Sequence, residues 1–152
     1  MGIEIGSLCV RRCAQINAPA QRIWEEFESI EKLSAWYGIG HKIESFQPGL
    51  DGEISMSVEI EGRRRPYGGK IIVWEPGAEF SIDDNWYDED MAWPVNTFIT
   101  IRLSEYNGET LVELFHHGFE RLGSDAATQH EGYEAGWKNQ HLMALKKIVE
   151  GS

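Results

Sequence analysis

Cysteine is nearly absent from this 152-residue chain, and basic stripes, long apolar runs and the common cofactor motifs are missing altogether. The two cysteines, Cys9 and Cys13, fall in one predicted strand. Residues so placed lie roughly 13 Å apart, beyond disulfide reach. A disulfide-free fold suited to a reducing compartment is therefore expected. Lysine and arginine number 14 against 25 aspartates and glutamates, a formal net charge of −11. A surface of that sign repels phosphate backbones and anionic headgroups, which argues against nucleic acid and anionic membrane as partners. The local exception, Arg63-Arg64-Arg65 between Gly62 and Pro66, reads as a solvated hairpin tip. No apolar run approaches membrane-spanning length and no secretory signal opens the chain, so a cytoplasmic location without membrane insertion is expected.

The chemistry motifs are equally sparse. His116 and His117 are adjacent in a predicted strand, so they point to opposite faces and cannot share an ion. His130 and His141 stand too far apart for a helical pair, and the acidic segment 83–90 lacks the glycine and closing glutamate of a calcium loop. No metal and no cofactor is expected. There is no Gly-x-Ser-x-Gly elbow and no phosphate-cradling glycine loop, and neither cysteine has an evident activating histidine.

What the chain does have is a single domain's length, six tryptophans, six phenylalanines and clear periodicity. The first strand is predicted over residues 3–16. Asn17 is placed to cap a helix with Pro19 in its first turn, and Ile23, Trp24 and Phe27 share one helical face. Ser29 is placed to cap a second short helix carrying Ile30, Leu33, Trp36 and Tyr37. The period then changes to two. Ile54, Met56, Val58 and Ile60 alternate with polar residues, as a half-buried strand requires. Further strands are predicted at residues 41–47, 67–75, 78–87, 95–105 and 109–118, with Asn107-Gly108 a strong hairpin signal. Residues 125–150 read as one helix about 38 Å long. Its apolar stripe is Trp137, His141, Leu142, Leu145, Ile148 and Val149.

Strand parity selects the candidate site. Val112 and Leu114 are apolar where Glu113 wants water, so His116 shares their inward face. It is either a core histidine satisfied by one hydrogen bond or a ligand contact or acid–base group, since imidazole titrates near neutrality. Phe80, Ile82, Asp84 and Trp86 share the other inward face. Asp84 is expected at a wet mouth, because a buried charge is costly. Trp36, Trp86, Trp93 and Trp137 fill the core or wall an aromatic pocket. Tyr67 stands either at the rim or inward.

The order of elements, β-α-α followed by six strands and a helix, resembles the helix-grip fold of the START/Bet v 1-like superfamily. More narrowly, Ala18-Pro19 with Ile23-Trp24, Glu31-Lys32-Leu33 with Trp36, Gly69-Lys70-Ile71 before Val73-Trp74-Glu75-Pro76, His116 with Gly118-Phe119, and Gly136-Trp137 with Leu142 and Leu145 resemble the family of the activator of heat-shock protein 90 ATPase. The resemblance covers nearly the whole chain. It implies an α+β fold in which a curved seven-stranded antiparallel sheet grips a long C-terminal helix, with two short helices after the first strand. It further implies a cavity for a small hydrophobic, aromatic or polyketide-like ligand, in natural-product metabolism or self-resistance. Trp36, Trp86, Trp93, His116, Phe119, Trp137 and His141 are its candidate contacts. Two alternatives stay open. One is a cyclase or dehydratase using His116, Asp84 or Tyr67, although the sequence leans away from an enzyme. The other is a stress-response domain with a chaperone partner, although the activators' second domain is missing here. A homodimer is also left open.

Overall fold

A computed structural model describes residues 8–151. Seven strands form one antiparallel sheet in the order β1-β7-β6-β5-β4-β3-β2. They are β1 (Val10–Ile16), β2 (Lys42–Phe46), β3 (Glu53–Ile60), β4 (Arg63–Glu75), β5 (Glu79–Trp86), β6 (Thr97–Tyr106) and β7 (Glu109–His117). The first strand begins at Val10 rather than at residue 3: Leu8 and Cys9 are not in it, and residues 3–7 lie outside the described residues. Two short helices, α1 (Ala20–Trp24) and α2 (Ile30–Ser34), follow β1, and α3 (Ala126–Gly136) and α4 (Gln140–Glu150) close the chain. This is the helix-grip architecture. Register shifts at Ile43/Ser45 and at Ile71/Val73 interrupt the ladders, and such bulges bend a sheet around whatever it covers.

The core forms where the alternations meet. Ile54 and Met56 of β3, Phe80 and Ile82 of β5, Ile99 and Ile101 of β6, and Val112 and Leu114 of β7 are all buried. They pack against Leu142, Leu145 and Val149 of α4, the stripe read from the sequence. Asn107 and Gly108 join β6 to β7 with φ of 54° and 83°, the paired positive values of the tight hairpin turn their sequence signals.

Three expectations change. Asn17 does not cap α1, since the capping position is Pro19, which offers no side chain. The Glu105 carboxylate of β6 accepts the Ala20 N–H at 2.8 Å instead, supplying from a neighbouring strand the acceptor a helix start needs. The three arginines are not a solvated tip. The turn is Glu61-Gly62, with φ of 52° and 77°, and Arg63, Arg64 and Arg65 belong to β4. There Arg64 pairs with Glu44, and Arg65 pairs with Asp88 and Asp90. The loop after β5 is thereby tied to the sheet.

The third change concerns the terminal helix, which breaks at Trp137, a residue in extended conformation with ψ of 104°. Arg12 of β1 explains the break. Its guanidinium donates to the Glu134 carbonyl at 2.9 Å and to the Trp137 carbonyl at 2.8 Å, satisfying acceptors the helix end leaves open. Only α4 carries the apolar stripe. In α3 the sole buried residue is Ala126.

Ser29 caps α2 as expected, its hydroxyl accepting the Lys32 N–H at 3.2 Å. Ser29→Ala is expected to cost about 1 kcal/mol, read as a lower urea midpoint with an unchanged slope.

Candidate functional site

A cavity of about 350 Å³ lies between the sheet, the N-terminal end of α4 and the underside of α3. Its apolar wall comes from Met56 and Val58 of β3, Ile99 of β6 and the rings of Tyr37, Trp86 and Trp137. Gln129, Gly132, Tyr133 and Gly136 of α3 close it from above. His41, Ile60, Gly132 and Gly136 are exposed and mark its solvent side. Its volume falls in the range of small-molecule sites, roughly 300–1,000 Å³.

One pole of the cavity is polar. Asp84 reaches it from the last position at which β5 pairs with β6, opposite Thr97. Parity brings it inward as expected, but it is not at a wet mouth. It is 2% exposed. Its Oδ1 has no hydrogen-bond partner. The contrast with its neighbour is instructive. Asp83, on the other face, accepts the Lys70 N–H at 2.7 Å and an Asn96 amide N–H at 3.2 Å. Burial, and secondarily the Asp83 charge, hold the Asp84 carboxyl well above the usual carboxylate range, as desolvation does for any acid.

His116 stands beside it, fully buried, with Nε2 3.8 Å from Asp84 Oδ2. That spacing would suit an ion pair, but the hydrogen bonds decide otherwise. The Trp137 indole N–H donates to His116 Nδ1 at 3.0 Å. An indole can only donate, so Nδ1 carries no proton. The ring is a neutral imidazole with its hydrogen on Nε2, given to Thr97 Oγ1 at 2.8 Å. Burial, then the charges of His117 and His130, lower His116 to about 3. A neutral imidazole thus sits beside a carboxyl whose charged form burial disfavours.

Three phenols surround this pair. Tyr37, Tyr67 and Tyr133 are each held above the ordinary phenol range, first by burial and then by the Asp84 carboxylate. The Tyr67 hydroxyl shares a hydrogen bond with His41 Nδ1 at 2.5 Å. His41, though exposed, is lowered by partial desolvation against the cavity wall and then by the nearby His141.

Of the residues expected from sequence, Trp86, Trp137, His116, His141, Asp84 and Tyr67 line the cavity. Trp36 does not. It is fully buried under Phe27, rings 4.9 Å apart, with its indole N–H on the Glu26 carbonyl at 3.0 Å. The short α2 turns it into the core. Trp93 and Phe119 also stand behind the wall. Trp93 packs edge-on against Trp86 and Tyr133 at 6.5 and 5.8 Å, held by Asn85. Phe119 backs the His116 ring at 4.6 Å. Sequence reasoning missed Tyr37, His41 and Tyr133, which carry no local signal beyond being amphipathic aromatics. Among the described residues no cluster of three His, Cys, Asp or Glu is placed to hold a metal ion, and no helix is long and apolar enough to cross a membrane.

A curved sheet gripping a helix over a half-open, aromatic-walled cavity defines a helix-grip protein of the START/Bet v 1-like class. The chain belongs to the family described as Activator of Hsp90 ATPase homolog 1-like protein, which its residues 17–150 match. No curated protein matched it in a sequence search. Among solved structures, a protein of Arthrobacter aurescens is similar at 18% identity and TM-score 0.74, over 99% of this chain and 91% of that one. Protein Ms6760 of Mycobacterium smegmatis is similar at 16% identity and TM-score 0.69, over 95% of this chain and 90% of that one. DynU16, described as a protein of the dynemicin biosynthetic locus, is similar at 15% identity and TM-score 0.66. That match covers 93% of this chain and 47% of DynU16, so the chain spans about half its length. Likeness at these identities shows the fold.

Proposed function

We propose that this protein binds a small hydrophobic molecule, aromatic or polyketide-like, in the cavity between sheet and α4. The observation that carries the reading is the cavity's composition. A space of about 350 Å³ is walled by aromatic and aliphatic side chains and has one concentrated polar pole, the combination by which pockets bury a ligand's body and orient its one polar end. Natural-product metabolism or self-resistance is the setting we favour, given the fold shared with a protein of the dynemicin locus.

The adjacency of His116 and Asp84 at 3.8 Å favours a second reading, acid–base catalysis of the cyclase or dehydratase kind. The hydrogen bonding weighs against it. Both ring nitrogens of His116 are engaged, Nδ1 by Trp137 and Nε2 by Thr97, leaving no lone pair for a substrate proton.

The test is calorimetric titration and thermal shift against aromatic polyketides, flavonoids, sterols and fatty acids. Saturable binding with a raised melting temperature is expected, and Trp86→Ala is expected to weaken it at least tenfold while the protein stays folded. Silence across the panel would defeat the binding reading.

A further inference from the structure

We propose that the cavity selects cationic amines, a protonated primary or secondary amine on an apolar one- or two-ring body, with its N–H donated to Asp84 and its charge faced by the surrounding rings. This deepens the binding reading and rests on it. Three independent observations lead there.

The first is the orphan acceptor. Asp84 Oδ1 is buried on the cavity wall with no hydrogen-bond partner, and a buried polar atom left unpaired costs the full desolvation of the group. Among the described residues no donor reaches it. His116 spends its Nε2 hydrogen on Thr97, and the Tyr67 hydroxyl is engaged with His41. A ligand donor is the missing partner.

The second is the charge inventory of the walls. Among the described residues, no lysine or arginine lines the cavity. The titratable groups around it are His116 from β7, Tyr67 from β4, Tyr37 from the segment after α2, Tyr133 from α3, His41 and His141. Desolvation lowers His116 and His41 and raises the three phenols, so these five favour their neutral forms. A carboxylate formed at Asp84 has no cation on the cavity wall from lysine or arginine, and an entering ammonium supplies one with a charge-assisted bond.

The third is the shape of the environment. Tyr37, Tyr67, Trp86, Tyr133 and Trp137 set five rings around the same space. Ring faces carry negative quadrupole potential and attract ammonium groups, the more so when water is excluded. The chain's net charge of −11 acts in the same sense at long range, enriching cations near the mouth. An anionic ligand would meet the opposite at every stage.

The experiment is calorimetric titration of the full chain with naphthylmethylamine, naphthylmethanol and naphthoic acid, which share one aromatic body and differ in the polar end. The amine is expected to bind at least tenfold more tightly than the alcohol, with the acid weakest. In Asp84→Asn, with folding checked by melting temperature, the preference for the amine is expected to vanish. Amine binding should also release protons in buffers where the empty cavity keeps Asp84 neutral, read from heats in two buffers of different ionisation enthalpy. Equal binding of amine and alcohol, or an amine preference that survives Asp84→Asn, overturns the inference and leaves the cavity reading intact. Binding of panel ligands without any binding of the amine does the same. Failure of the three probes and of the whole panel removes both. Should Asp84→Asn not fold, the amine-to-alcohol ratio in the unaltered protein decides.

Discussion

Trp36→Ala is expected to cost about 4 kcal/mol of stability, the range for deleting a large buried ring. The indole is fully buried and meets Phe27 and Tyr37 edge-on, with centroids 4.9 and 5.7 Å away. Phe27 stacks in turn on Trp24 at 4.8 Å, so a cavity opened at Trp36 undercuts an aromatic column that joins both short helices to the sheet. The truncation also strips the Glu26 carbonyl of its indole donor. A domain of this size would lose on the order of 10 °C in melting temperature. Urea unfolding checks the number, and Trp36→Phe, which keeps most of the ring volume, should cost less than half as much. A loss below about 1 kcal/mol would mean the ring does not pack as described. Because Trp36 does not line the cavity, ligand affinity in the folded variant should stay near that of the unaltered protein. Trp137→Phe should weaken binding, and should cost about 1–3 kcal/mol of stability by leaving the buried His116 Nδ1 without its indole donor.

That pair of tryptophans shows what the sequence carries and what it leaves open. Alternation in β3 and β7 assigns each side chain a face, and the faces hold: Ile54, Met56, Val112, Leu114 and His116 all point inward. Asn107-Gly108 sets the last hairpin because only residues tolerant of positive φ fit its turn. These are local rules, and they fix the fold. The site depends on contacts between distant segments. Arg12 of β1 ends α3 by satisfying its last carbonyls, and the break turns the Trp137 indole onto His116. Nothing near Trp137 in sequence reveals Arg12. Parity alone could place Asp84 inward but not dry. Trp36 and Trp137 are equally apolar in a composition count, and tertiary packing alone sends one to the core and the other to the cavity.

Acidification is expected to cost this protein stability largely through His116. Its folded form titrates near 3, against 6.5 for the free side chain, because burial disfavours the imidazolium and His117 and His130 add to the effect. Between those values the unfolded chain binds a proton that the folded chain refuses, so stability falls as pH drops from 6.5 towards 3. At about 1.4 kcal/mol per pH unit, the loss from this one residue is on the order of 4 kcal/mol. Asp84 works in the opposite direction. Burial raises its folded value above 3.8, so its contribution is fully present below that value and is lost as pH rises through the folded one. The two neighbours therefore give opposed slopes that partly cancel in the unaltered protein. Separate substitutions should pull them apart. His116→Gln, whose amide can still reach Thr97, should flatten the acid limb of a plot of unfolding free energy against pH. Asp84→Asn should gain stability relative to the unaltered protein as pH rises above about 4, steepening the net fall on acidification. Parallel curves for all three proteins from pH 3 to 8 would mean that folding shifts the titration of neither group, whereas an ion pair would give slopes of the opposite sign for each. The same curves bear on recognition, because an entering ammonium gains its charge-assisted bond to Asp84 by ionising that carboxyl. In the presence of naphthylmethylamine the Asp84 contribution should therefore change sign, a reversal that a neutral ligand of the same shape cannot produce.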